Sequence, residues 1–265
     1  MNTMVWPKQV KARIAILMLG AMGATFSFDA LHAQELNAFG GFMLGVAQFT
    51  AVTQAAAQEA SARQILAMVR ANESGQNRDV TGQLQMSTAD GTLRIPFLLR
   101  MRGGNITYQF SNPPEAFVLR MGENGSRLDR ITGSGKSEKI TGAKLDDLVR
   151  GTDISYEDLA LKFLYWNKAR VAGEENINIS RCWVIDAVPS GKDDSQYDRV
   201  RLWVEKSGGL LRAECYAGGK LVRRFAVIGV QHDRQGKGYI LKKMRIETMD
   251  GRGRDHAPTY LEVRQ

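Results

Sequence analysis

Cysteine and histidine are both scarce in this chain of 265 residues, which holds two cysteines and three histidines. One histidine lies near the N-terminus. Neither His232 nor His256 has a Cys, Asp or Glu at the i+3 or i+4 spacing of a zinc-binding helix or knuckle. The sequence also displays no nucleophile with an accompanying base, which a hydrolase would need. We therefore expect no catalytic residues, no metal site and no cofactor, and a secreted hydrolase is a minor alternative.

The chain also lacks an apolar run long enough for a membrane span near its N-terminus. Residues 14–28 are apolar but number fewer than the ~20 needed to cross a bilayer. A cationic region precedes them, formed by Lys8, Lys11 and Arg13, and Ala33 follows as a small residue suited to signal peptidase. We therefore expect a signal peptide over 1–33, an exported protein and a periplasmic location. The alternative is that 14–28 is an anchor or a buried helix.

A second cleavage position, after Ala57, fits the small-residue rule but lies far from the basic region. Residues 34–59 are accordingly assigned to a low-charge segment next to the leader. No cysteine lies near either position, which excludes a lipid-anchored N-terminus. Removal of the leader would leave about 210 to 230 residues, enough for one sizeable domain and short for two. We expect this single domain to span residues 60–265.

No strong compositional bias is present, since apolar residues make up 43% and charged residues 24% of the chain. These values are close to the globular average and argue against wholesale disorder.

The net charge is +8. Arg94, Arg100 and Arg102 alternate with apolar residues and should share the outer face of a sheet, where they are either simply solvated or attract phospholipid headgroups. Nucleic acid is disfavoured as a partner because the protein is exported.

Alternation with a period of two runs through residues 79–121 and predicts four β-strands. Three breaks with turn compositions separate the strands, at 89–91, 103–105 and 112–114, which implies an antiparallel meander. The alternating apolar positions are Val80, Leu84, Met86, Leu93, Ile95, Phe97, Leu99, Met101, Ile106, Tyr108, Phe110, Phe117, Leu119 and Met121.

Helical patterns occur at 61–72, 144–149 and 155–167, and Ser155 with Asp158 resembles a capping pair. After Gly173 the alternation returns in six further strands, near 177–188, 197–205, 210–217, 221–231, 239–248 and 259–264. A sheet of about 10–11 strands curls or closes, because strand twist accumulates. We expect a mainly β fold with a few helices, in which a strongly curved sheet wraps around the helices.

A phosphate-binding loop is suggested by Gly133-Ser134-Gly135-Lys136-Ser137, which resembles the end of that motif. The opening glycine of the motif would fall at position 130, where the chain has Arg130. An exported protein would also meet little nucleotide. The motif is therefore rejected.

One nine-residue run, Gly151-Thr-Asp-Ile-Ser-Tyr-Glu-Asp-Leu159, is called the motif segment here. Together with 202–206 (Leu-Trp-Val-Glu-Lys) and 219–223 (Gly-Lys-Leu-Val-Arg), it resembles the outer-membrane lipoprotein-sorting protein family, relatives of the periplasmic carrier LolA. The likeness covers roughly 60–265, and one departure is Leu211, where relatives often carry Pro before the Arg. The resemblance implies an unclosed antiparallel β-barrel whose concave side is covered by helices, enclosing an apolar cavity for acyl chains.

Such a cavity would be lined by residues of the first four strands and covered by a lid from the middle of the chain. Alternation fixes which residues share a face, not whether that face is concave, so a filled core is the alternative. The resemblance implies a carrier or chaperone for acyl chains of lipoproteins or phospholipid, with transient contacts to a membrane or its proteins. The alternative is a sensory module that binds a partner protein. The expected cavity and lid residues are Phe97, Leu99, Tyr108, Phe110, Leu119, Met121, Tyr156, Phe163 and Trp166.

Cys182 and Cys215 are the only cysteines, and an oxidising periplasm would ordinarily pair them. The predicted strands 177–188, 197–205 and 210–217 follow one another closely, so the middle strand should separate the other two. Next-nearest strands lie roughly 9.6 Å apart, whereas a disulfide needs Cα atoms within about 7 Å. We therefore predict that the two cysteines stay unpaired.

Overall fold

The computed structural model describes residues 46–191, 194–233, 238–249 and 257–264. The predicted signal peptide lies outside these residues. Within them, the chain forms one sheet of 13 antiparallel strands. The elements of the first half are α1 (Val46–Ser74), β1 (Asn77–Thr88), β2 (Gly91–Arg102), β3 (Asn105–Phe110), β4 (Glu115–Met121), β5 (Ser126–Ile131) and β6 (Ser137–Lys139). The second half contains α2 (Tyr156–Ala160), β7 (Lys168–Ile177), β8 (Ser180–Val188), β9 (Arg199–Glu205), β10 (Leu210–Ala217), β11 (Lys220–His232), β12 (Tyr239–Thr248) and β13 (Thr259–Arg264).

The strand order is β6-β5-β4-β3-β2-β1-β13-β12-β11-β10-β9-β8-β7. Two meanders, β1–β6 and β7–β13, are therefore joined where the first strand pairs with the last. The strands β6 and β7 form the two edges, and the sheet is curled but unclosed. This architecture confirms the predicted open, curved barrel of mainly β structure.

Residues 140–167, called the lid here, connect one sheet edge to the other, from the end of β6 to the start of β7. Instead of two continuous helices, the lid contains α2 and three short 3-10 helices, at Gly142–Leu145, Val149–Gly151 and Lys162–Tyr165. The helix predicted over 155–167 breaks at Leu161, whose φ of +53° is left-handed. The one predicted over 144–149 is likewise replaced by 3-10 turns. Periodicity did not reveal these breaks because Leu161, Phe163, Leu164 and Trp166 are all buried.

Helix α1 begins at Val46, well before the predicted start at residue 61. Its N-terminal part is rich in alanine and glutamine, which favour helix, although the sequence analysis assigned these residues to the leader-proximal segment. The alternative cleavage position after Ala57 therefore falls inside α1. The helix packs against β7 through a buried stripe of Ala62, Ile65, Leu66 and Val69. Among the residues described, no helix is both long and apolar enough to cross a membrane.

Three strands were not predicted, namely β5, β6 and β7. Each lies at or next to a sheet edge, where few side chains are buried, and β6 is exposed throughout. β7 contains a run of exposed residues, 172–176, that includes Glu174 and Glu175, and so lacks apolar alternation. The predicted strand 177–188 is instead the second arm of a hairpin that turns at Asn178, whose φ is +55°. Of the loop-like residues 133–137, the first four lie in the turn between β5 and β6, and Ser137 begins β6.

The two cysteines are free and buried, which confirms the prediction. Cys182 lies on β8 and Cys215 on β10, with β9 between them. They are also offset along β9, since Cys182 is opposite Glu205 and Cys215 is opposite Val200. Two strand spacings and a five-residue offset put a disulfide out of reach.

Candidate functional site

The first four strands present one apolar face towards the lid. Alternate side chains of β2 are buried at Ile95, Phe97, Leu99 and Met101, and the residues between them are exposed or half-buried. The predicted outer-face residues Arg94, Arg100 and Arg102 are exposed. The alternation in the sequence therefore identified the inner and outer faces correctly.

A small apolar cavity remains between this face and the lid. It has a volume of about 20 Å³ and is lined by four of the predicted residues, Phe97, Leu99, Tyr108 and Phe110. The other lining residues were not predicted; they are Leu84, Val149, Ile154, Leu159 and Leu261. Leu84 belongs to the same alternating pattern and could have been added, whereas Leu261 required the pairing of β13 with β1.

The other predicted site residues lie around this cavity without lining it. Leu119, Phe163 and Trp166 are buried in the core, and Met121 and Tyr156 are half-buried against it. The Tyr156 ring packs on Phe117, with 4.9 Å between ring centroids. Trp166 borders a second, larger pocket beside β5. The structure thus divides the predicted set into four sheet residues that line the cavity and five residues, from β4 and the lid, that pack around them.

Gly82 has no side chain, and this leaves room for the Phe97 ring in the cavity wall. The two residues are opposite each other on β1 and β2. A Cβ added at Gly82 would lie 2.4 Å from both the Phe97 ring and the Glu262 carbonyl oxygen, far inside contact distance. The aromatic ring therefore covers the backbone of the glycine, as aromatic residues do opposite glycines in sheets.

The motif segment joins the lid to the second meander through a buried ion pair. Asp158 is fully buried, and its Oδ2 accepts a hydrogen bond from Arg223 Nη1 of β11 at 2.6 Å. Tyr197 donates to Asp158 Oδ1 at 2.9 Å and accepts from Arg223. Burial and the charge of Asp158 raise the pKa of Tyr197 well above its ordinary value, so its hydroxyl remains a donor at neutral pH.

The predicted capping pair is confirmed at the start of α2. Ser155 N donates to Asp158 Oδ2 at 2.7 Å, and Asp158 N donates to Ser155 Oγ at 3.3 Å. This capping box satisfies backbone groups that would otherwise be unpaired at a buried helix end. Asp158 therefore both caps α2 and holds it against the sheet.

Two more carboxylates of the motif segment attach the lid at other points. Asp153 Oδ2 accepts from both the backbone N and the Oγ1 of Thr259 on β13, each at 2.8 Å. Glu157 Oε2 accepts from Gln196 N at 3.0 Å, and Glu157 Oε1 accepts from Ser195 Oγ. The motif segment thus supplies polar anchors that join the lid to the sheet and to the loop before β9.

A buried carboxyl group, Glu73, lies near the cavity at the end of α1. Its side chain is 4% exposed, and Glu73 Oε2 has no hydrogen-bond partner among the residues described. Burial raises the pKa of Glu73 well above its ordinary value, and burial and the Glu73 charge both raise the pKa of Tyr108. Tyr108 also donates to the Leu159 carbonyl at 3.5 Å. Within the described ranges, no group of three or more His, Cys, Asp or Glu side chains is placed to hold a metal ion.

A family model described as "Uncharacterized protein" matches residues 131–264, just over half of the chain. The chain belongs to this family. The matched region includes the whole lid and the complete second meander. No curated protein matches the sequence.

Solved structures match over most of the chain and show which fold the family has. A DUF1329 family protein from Desulfovibrio piger matches with a TM-score of 0.61 and 16% identity, over 78% of this chain and 92% of that one. A putative outer membrane lipoprotein-sorting protein domain from Vibrio parahaemolyticus has a TM-score of 0.59, 16% identity and the same coverage. A LolA superfamily protein from Nitrosomonas europaea has a TM-score of 0.56 and 15% identity, over 77% and 91%. The predicted LolA-like fold is confirmed.

Proposed function

We propose that this protein is a periplasmic carrier that sequesters acyl chains of lipoproteins or lipids beneath the lid and transfers them towards the outer membrane. The observation that carries the proposal is the apolar cavity between the first meander and the lid, lined by Phe97, Leu99, Tyr108 and Phe110. Apolar surfaces of this kind hold lipid tails, because burial removes hydrocarbon from water. The fold likeness to lipoprotein-sorting domains supports the same function.

The closed cavity is too small for an acyl chain, since about 20 Å³ accommodates roughly one water molecule. An acyl chain enters only if the lid residues Val149, Ile154 and Leu159 move away from the sheet. We therefore propose that the structure is the closed state. In the open state, hydrocarbon replaces the lid side chains against the apolar face of β1–β4.

The way the lid is attached supports such a movement. In the described ranges it contributes no strand to the 13-stranded ladder. Its side-chain anchors include Asp153, Glu157 and Asp158, Arg150, which donates to Glu115 and to the Asn112 and Pro113 carbonyls, and Ser126 Oγ of β5, which donates to the Ala160 carbonyl. A segment that is attached through side chains and lies outside the strand ladder opens at a lower free-energy cost than a strand of the sheet. The sheet is then the rigid part of the carrier, and the lid is the gate.

Native mass spectrometry of protein purified from a membrane-containing lysate tests the proposal. The expected result is a population whose extra mass equals one lipid or lipid-modified polypeptide and is lost on organic extraction. Delipidated protein should regain that mass when incubated with lipid. A preparation that carries no lipid and takes up none would contradict the carrier function.

A further inference from the structure

The two edges of the sheet do not meet, and a second pocket lies in the gap between them. It has a volume of about 400 Å³, twenty times that of the apolar cavity. Its walls come from β5, the residues after β6, the end of the lid up to Asn167, and Asp194 in the β8–β9 loop. We call it the seam pocket. It is large enough for a polar headgroup of several heavy atoms.

The floor of the seam pocket is apolar and continuous with the protein core. Leu128, Ile140, Leu145 and Trp166 line the pocket and also belong to the buried core cluster. Leu145 and Trp166 are themselves part of the lid. A molecule in the seam pocket would therefore lie directly beside the lid and the apolar interior that the lid covers.

The rim of the seam pocket is cationic. Arg127, Lys139 and Lys162 line it, and Asp194 is the only acidic residue among the lining residues. Arg127 is neutralised by Asp129, with 2.6 Å between Nε and Oδ1. In the part of the chain that the structure describes, neither lysine forms an ion pair, and Lys162 Nζ donates to the Asp194 backbone carbonyl at 3.2 Å. Two lysines thus face a pocket whose lining contains one acidic residue, Asp194, which forms an ion pair with neither of them.

We propose that the seam pocket binds the phosphate of an anionic phospholipid, with Lys139 and Lys162 as its cationic ligands. This inference rests on the proposed carrier function, because it assigns the headgroup of the lipid whose acyl chains enter beneath the lid. An apolar floor and a cationic rim match the two ends of an amphiphile, and a lysine ammonium is a common partner of phosphate. The cargo is then a phosphate-bearing lipid, in preference to an acyl anchor without phosphate.

A binding experiment with two short-chain lipids tests this assignment. Dihexanoyl phosphatidic acid and dihexanoylglycerol carry the same acyl chains and differ in the phosphate. Isothermal titration below the micelle concentration would compare them for the native protein, for K139Q/K162Q, and for the control K220Q/K242Q. The control removes two exposed lysines from β11 and β12, away from the seam. Glycerol 3-phosphate and inorganic phosphate are titrated separately.

The native protein and the control should bind phosphatidic acid roughly tenfold more tightly than dihexanoylglycerol, and K139Q/K162Q should bind the two lipids within about twofold. The preference should shrink in 0.5 M salt, because the lysines are solvent-accessible. Equal affinities in the native protein, or an unchanged preference in K139Q/K162Q, would overturn the headgroup site while leaving the carrier function intact. If free phosphate bound as tightly as phosphatidic acid, the seam pocket would be a site for free phosphate and not for the phosphate of a lipid. Failure of both lipids to bind would refute the carrier function itself.

Discussion

Asp158 and Arg223 form an ion pair in which both side chains are buried, with 2.6 Å between Asp158 Oδ2 and Arg223 Nη1. The pair joins α2 of the lid to β11 of the sheet. Burial lowers the pKa of Arg223, but the charge of Asp158, its hydrogen bond to Arg223 and the neighbouring Tyr197 and Cys215 together outweigh that effect and raise the pKa above its ordinary value. Breaking such a pair leaves an uncompensated buried charge, which is strongly destabilising. The pair is therefore a strong anchor between the lid and the sheet.

Replacement of Asp158 by Asn should loosen the lid, because Arg223 loses its counter-charge while the side-chain shape is kept. We expect the free energy of unfolding in urea to fall by about 3 kcal/mol. Hydrogen exchange should increase most in residues 140–167, and a bound acyl chain should be released faster.

The matched control is Asp146→Asn, which changes an exposed carboxylate of the same lid. It should alter the unfolding free energy by less than about 0.5 kcal/mol. If Asp158→Asn left exchange in the lid and the release rate like those of the control, the ion pair would not hold the lid.

The fold could be predicted where a strand has one buried and one exposed face. The strands β1–β4 were located because Phe97 and Leu99 alternate with exposed residues. The edge strands β6 and β7 were missed because edge strands bury little, and β5, next to the edge, was missed because it has only one buried apolar residue, Leu128. The number of strands therefore could not be predicted in full, because strands at or near the sheet edges show no apolar alternation.

The site was predictable on the sheet and less so on the lid. Phe97, Leu99, Tyr108 and Phe110 share a face by alternation alone. Which lid side chain lies opposite them depends on the break at Leu161 and on the anchors of the motif segment, and these are tertiary contacts. Tyr156, Phe163 and Trp166 were predicted as lid residues because they share one stripe of a helix over 155–167, whereas Val149, Ile154 and Leu159 line the cavity.

Substitution of Gly82 by Ala should displace Phe97 and disturb the pairing of β1 with β13. The new Cβ would lie 2.4 Å from the Glu262 carbonyl oxygen, so backbone must shift. We expect a loss of stability of about 1–3 kcal/mol and weaker acyl-chain binding. Gly133→Ala is the control, because nothing lies within 4 Å of a Cβ at that position. Equal stability of the two variants in thermal unfolding would contradict the tight contact.

Glu73 should make the protein less stable as pH rises. Its folded pKa is raised by burial, so between the unfolded pKa of about 4.3 and the folded pKa only the folded state holds the proton. This contribution to stability is complete below the unfolded pKa and is lost as pH rises through the folded pKa. Glu73→Gln removes the titration, and its advantage over the native protein should therefore grow with pH, to about 1 kcal/mol or more at pH 8.

The control for this pH dependence is Glu59→Gln, which changes an exposed carboxylate on the same helix. Urea unfolding at pH 4, 6 and 8 would compare the three proteins. An advantage of Glu73→Gln that is independent of pH would mean that the native carboxyl is already ionised in the folded state.

The two thiols should be free but slow to react in the folded protein. Burial raises the pKa of Cys182 to about 11 and that of Cys215 well above its ordinary value, which leaves little thiolate at neutral pH. Labelling with a maleimide in denaturant without reductant should modify two thiols per chain, and labelling of the native protein should be far slower. No reactive thiol in denaturant would contradict the strand order β8-β9-β10.

Photo-crosslinking with a diazirine-bearing acyl chain, followed by peptide mapping, tests most directly whether acyl chains lie beneath the lid. We expect adducts on the peptides that carry Phe97 to Phe110 and on lid residues 149–159, with competition by unlabelled lipid. Faster adduct formation in Asp158→Asn would connect entry to lid opening. Adducts confined to exposed apolar residues such as Ile179 and Ile228, or adducts that unlabelled lipid does not reduce, would contradict an internal acyl-chain site.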